Sequence, residues 1–96
     1  MAAHPEFAET KTKIMKIISF WDPMKVQPGK PHGAPEDEYE PEAARIAAYV
    51  LKHREAGNAL SLQGLKEEIE RLWQLMYGES CPNSLEIAQN VIQQFP

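Results

Sequence analysis

Apolar residues recur at helical spacing in four stretches of this chain, each bounded by a residue that breaks or caps a helix. In the first, Phe7, Ile14, Ile17, Ile18 and Trp21 form one stripe. Pro5 suits the first helical position, where a missing N–H costs nothing, and Glu6 and Glu9 complement the positive end of the helix dipole. Lys11, Lys13 and Lys16 lie off the stripe, toward the end where cations are favoured. Pro23 drives Asp22 out of the α region, so this helix ends by Asp22.

A second helix is predicted from Pro41, with Ala43, Ile46, Ala47, Val50 and Leu51 on its inner face and Lys52, His53 and Arg54 in its last turn. Gly57 or Asn58 can close it in the left-handed conformation. The third, from Ser61 to Tyr77, carries the clearest stripe: Leu62, Leu65, Ile69, Leu72, Trp73 and Met76. Gly64 costs this helix about 1 kcal/mol relative to alanine, and Gly78 ends it. In the fourth, Asn83 or Ser84 caps a short helix with Leu85, Ala88, Val91, Ile92 and Phe95 on one side. No run alternates with period two as a strand would. The expectation is an all-α fold, a single four-helix domain over residues 1–96 with a flexible tail at 1–4.

Between the first two helices, residues 22–41 hold Pro23, Pro28, Pro31, Pro35 and Pro41 with Gly29 and Gly33, which permits turns and extended backbone but no regular element. A connection longer than roughly 12–15 residues in a small domain tends to be functional or disordered. Trp21, Asp22 and Pro23 open it as a structural corner: Asp22 caps a turn, Pro23 sets the exit direction, and Trp21 buries its ring while its indole N–H finds an acceptor. Tyr39 and Glu42 would tie the far end back to this corner. With a fully buried Trp21 ring, Trp21→Ala is expected to cost about 3–5 kcal/mol.

Composition narrows the function classes. In 96 residues, 43% hydrophobic and 25% charged positions match an ordinary soluble domain with one core. The net charge of -4 lacks the basic footprint of nucleic-acid binding or of anionic membranes, and favours a basic partner. Glu6, Glu9 and Lys16 interrupt any leader-like or membrane-spanning run, so a cytoplasmic location is expected. Cys81 is the single cysteine, which excludes an intramolecular disulfide and suits a reducing compartment.

Candidate chemistry is sparse. His4, His32 and His53 have no histidine or cysteine at ligand spacing, and His53 reads as a dipole partner at a helix end. A site joining His32 to Asp37 and Glu38 is the minority alternative. Cys81, flanked by Glu79, Ser80 and Pro82, lacks a neighbour that would lower its pKa and reads as a packing residue. No metal site or cofactor is expected. The run Glu36-Asp37-Glu38-Tyr39-Glu40-Pro41-Glu42 puts five carboxylates within seven residues. Its ordinary reading is a solvated helix entry. Its functional reading is a docking patch for a basic protein, with Tyr39 as an amphipathic anchor.

The order of Ile17-Ile18-Ser19-Phe20-Trp21-Asp22-Pro23, a loop to Tyr39, an acid at Glu42, Ile46 and a later leucine-rich helix resembles the YugE-like family of small bacterial proteins of unknown function. The shared elements are Trp-Asp-Pro and Tyr-x-x-Glu, over residues 14–77. The resemblance implies a helical fold and a bacterial origin, and supplies no reaction. This chain departs from it in a longer proline-rich loop and an additional C-terminal segment.

The function expected is therefore that of a non-catalytic protein-binding module, such as an acidic immunity or inhibitor protein, using Glu36, Asp37, Glu38, Tyr39, Glu40 and Glu42 against a basic partner. The alternatives are a small-molecule or metal-dependent enzyme with Asp22, His32 and Glu42 beneath the loop, or a structural homodimer joined through the third and fourth helices.

Overall fold

A computed structural model describes residues 5–31, 33, 35 and 37–95. The expected tail at 1–4, together with His32 and Glu36, lies outside the described residues. Four helices form and no strand appears among the described residues: α1 (Pro5–Trp21), α2 (Glu40–Glu55), α3 (Leu62–Tyr77) and α4 (Ser84–Gln94). None is long and apolar enough to cross a membrane.

The helices pack as two antiparallel pairs. Lys11 reaches Glu40 at 3.6 Å and Arg54 reaches Glu6 at 3.9 Å, which sets α1 and α2 head to tail. The chain reverses at 78–83 to lay α4 back along α3. Contact between α1 and α4 joins the pairs, with a smaller contact between α2 and α3. Ile14 and Ile18 of α1, Ala43, Ile46, Ala47 and Val50 of α2, Leu65, Ile69 and Trp73 of α3, and Ile87, Ala88 and Val91 of α4 are all buried in one core.

The stripes hold in detail for α1 to α3, with one exception at the start of α3, where Leu62 faces solvent. In α4 the expected phase is corrected. Ser84, Ile87, Ala88, Val91 and Phe95 are buried, at the i, i+3, i+4, i+7 and i+11 spacing of a single face, and this turns Leu85 outward.

The ends of the helices explain several residue choices. Ser61 is the N-cap of α3, and its Oγ accepts the Gly64 N–H at 2.9 Å. A Cβ on Gly64 would sit 2.7 Å from that Oγ and 3.4 Å from the Tyr49 hydroxyl, so the glycine makes room for both the cap and the approach of Tyr49. Gly78 ends α3 at φ 69°, its N–H bonded to the Gln74 carbonyl. Asn83 occupies the N-cap position of α4 at φ 64° without a side-chain cap bond, and the Ser84 hydroxyl is directed to Glu70 instead.

Candidate functional site

The corner after α1 is built around the Asp22 carboxylate. Its Oδ1 accepts the Tyr39 hydroxyl at 2.6 Å and the Val26 N–H at 3.0 Å, and its Oδ2 accepts the Gln27 N–H at 2.9 Å. The Tyr39 oxygen in turn accepts the Met24 N–H at 2.9 Å. Asp22, Lys25 and Gln27 all have positive φ, between 48° and 55°, a region that costs a side-chain-bearing residue on the order of 1–2 kcal/mol. These hydrogen bonds hold the backbone there. Burial works to raise the Asp22 pKa, but the bonds from Tyr39, Gln27 and Val26 outweigh it and leave the carboxyl below its ordinary value. Burial, then the bond to Asp22, raise the Tyr39 phenol well above its usual range. Trp21 is half-buried, with Nε1 donating to Asn90 Oδ1 of α4 at 3.1 Å and with Phe20 edge-on against its ring. The full burial on which the Trp21→Ala expectation rested does not occur.

The acidic run divides in two. Asp37, Glu38 and Glu40 are exposed, and Glu40 pairs with Lys11. Tyr39 and Glu42 are each only 1% exposed, which corrects their assignment to the partner-binding surface. Tyr39 cannot serve as an exposed anchor because its ring lies in the core and its hydroxyl is committed to Asp22 and Met24. Glu42 cannot meet a partner because Oε2 takes the Tyr77 hydroxyl and Oε1 is buried. Glu36 lies outside the described residues. The turn itself is closed by Glu38 N–H to the Pro35 carbonyl and Glu40 N–H to the Asp37 carbonyl, both at 3.0 Å.

A second, partly buried polar cluster along the C-terminal half of α3 was not anticipated from the sequence. Glu70 Oε1 accepts the Cys81 N–H at 2.9 Å and Oε2 accepts the Ser84 hydroxyl at 2.7 Å. These two bonds lower its pKa against the opposing effect of burial. Cys81 is buried, and burial followed by the charges of Glu70 and Glu42 pushes its thiol up to about 12. Burial, then the bond to Glu42, raise the Tyr77 phenol strongly, with Glu38 contributing. Glu70 thus fixes the α3–α4 turn onto α3, while the Tyr77–Glu42 bond ties the end of α3 to the start of α2. The cluster was hard to read because a glutamate at 70 lies eleven residues from one partner and fourteen from the other.

The residues of the enzymatic alternative are differently placed. Both Asp22 oxygens are occupied, the Glu42 carboxylate faces Tyr77, and His32 lies outside the described residues. Among the described residues no three His, Cys, Asp or Glu side chains come together as a metal site. A surface groove of about 580 Å³ runs instead between α2 and α3, bounded by Arg45, Ala48, Lys52, Arg71, Leu72 and Leu75. As for a dimer through α3 and α4, the main stripes of these helices are spent on each other and on the core, leaving Leu62, Leu75 and Leu85 exposed.

Compared with protein-family models, curated proteins and solved structures, the chain matches none.

Proposed function

We propose that this chain is a non-catalytic protein-binding module that presents Asp37, Glu38 and Glu40 to a basic surface of a partner, in the manner of a small immunity or inhibitor protein. The observation that carries this reading is the pinning of the acidic turn by Tyr39. One residue in its middle is buried and bonded to Asp22, while its neighbours on both sides face solvent. Such a turn holds its charges in a fixed arrangement before binding, so less ordering is required on association. Like-signed charges at fixed spacing steer an oppositely charged partner and set its orientation.

The net charge of -4 and the resemblance to the YugE-like family, with the bacterial origin it implies, are compatible with this role. The buried unpaired thiol of Cys81 suits a reducing cytoplasm.

Affinity capture with the wild-type chain and with a D37N/E38Q/E40Q variant tests the reading. A basic protein should be retained by the wild type at low salt, and retained at least tenfold less by the variant or at high salt, with no change of fold by circular dichroism. Equal retention by the two chains would contradict it.

A further inference from the structure

We propose that the groove between α2 and α3 is a docking site for an acidic amphipathic helix of a partner protein. The site is separate from the acidic turn and opposite to it in charge. Its floor is apolar: Ala48 of α2 and Leu72 and Leu75 of α3 line it, and Leu75 is 68% exposed. Its rim is cationic. Arg45 and Lys52 on α2 pair with no carboxylate among the described residues, and Arg71 on α3 stands opposite them. Glu68 is the one carboxylate lining the groove, and it already receives two Arg71 bonds, at 3.1 and 2.7 Å.

Three cations against one paired acid, on a chain of net charge -4, give this face a sign opposite to the molecule as a whole. Its charge complement is therefore acidic. Its shape complement is a helix, because the walls are two helices, and a third helix can lay its ridge of side chains between them. Arg45 and Lys52 are seven residues apart on one helix, about 10 Å along the axis. They would meet carboxylates flanking an apolar stripe of two to three turns. Tyr49 adds a rigid aromatic face to one wall.

The test is a selection from a displayed library of helical peptides, unbiased in charge, on the immobilised full chain, followed by NMR mapping of the best binder. The expected result is enrichment of Asp and Glu around apolar residues at i, i+3 or i+4, and i+7, with shift changes centred on residues 45–52 and 68–75. Leu75→Glu and Lys52→Glu should each weaken that peptide at least tenfold, whereas D37N/E38Q/E40Q should leave it unchanged, which separates this site from the acidic turn. Failure to select any binder, enrichment without acidic bias, or shifts mapping elsewhere would overturn the proposal. So would light scattering that shows a second copy of the chain filling the groove, as a dimer abolished by Leu75→Glu.

Discussion

The Tyr39 hydroxyl donates to Asp22 at 2.6 Å while accepting the backbone N–H of Met24, so one buried oxygen ties the entrance of α2 to the exit of α1 across seventeen residues. This bond gives the connecting segment a fixed corner at each end. It also decides the orientation of the acidic run, since burying Tyr39 turns Asp37, Glu38 and Glu40 toward water.

At the next turn of α2, Glu42 is held by Tyr77, and its other carboxyl oxygen has no partner among the described residues. Tyr77→Phe would strip the carboxylate of that donor and should cost about 2–3 kcal/mol, the scale of a hydrogen bond to a charged group. Glu42→Met should cost less, because it removes the buried charge along with the need for a donor. Urea denaturation of the two variants checks this, and the reverse order would mean that Glu42 satisfies a group other than Tyr77.

Acid should unfold the protein partly through Asp22 and Glu70. Both are lowered from ordinary values of 3.8 and 4.5, so they stabilise the fold above those values and lose that contribution as pH falls through the depressed folded-state pKa. Thermal unfolding measured from pH 7 down to about pH 2 should show a smaller drop for Glu70→Gln than for wild type. Parallel curves would remove Glu70 from the account.

Cys81 should be inert while the chain is folded. With its pKa pushed up to about 12 by burial and by the charges of Glu70 and Glu42, it carries little thiolate near pH 8 and is shielded as well. Labelling by a thiol reagent at that pH should be at least about a hundredfold slower than in the urea-unfolded chain. The raised pKa also means that the stability it contributes is complete below its ordinary value of 9.0 and fades as pH rises toward about 12. Rapid labelling of the native protein would show that the α3–α4 turn opens readily.

The two tryptophans should separate clearly in a truncation experiment. Trp73 is fully buried, with its indole N–H directed at Met24 Sδ at 3.2 Å, and its replacement by alanine should cost about 3–5 kcal/mol. Trp21→Ala removes a half-buried ring and one hydrogen bond to Asn90, and should cost clearly less. Chemical denaturation of both variants checks the order.

Helix positions were legible in the sequence because proline, serine and glycine punctuate a strong 3.6-residue period, as at Pro23, Ser61 and Gly78. The phase of α4 was not, since Leu85 and Ile87 are equally apolar and only packing against α3 selects between them. The acidic run misled for a related reason. Local sequence carries the charge of Glu42 but not the distant Tyr77 hydroxyl that makes its burial tolerable. Asp22 and Tyr39 could be suspected of closing the loop, yet the atom pairing and the positive φ angles around it follow from tertiary geometry alone. Likewise, the groove between α2 and α3 depends on how the two helices are placed against each other, which no residue pattern encodes.

A double-mutant cycle decides whether the Asp22–Tyr39 bond is the fastening that shapes the connecting segment. Stabilities of the wild type, Asp22→Asn, Tyr39→Phe and the double variant would be measured by urea denaturation at pH 7. Either single change is expected to cost about 1.5–3 kcal/mol, and the double variant little more than the worse single, a coupling of at least about 1 kcal/mol. Additive effects, within about 0.5 kcal/mol, would contradict it.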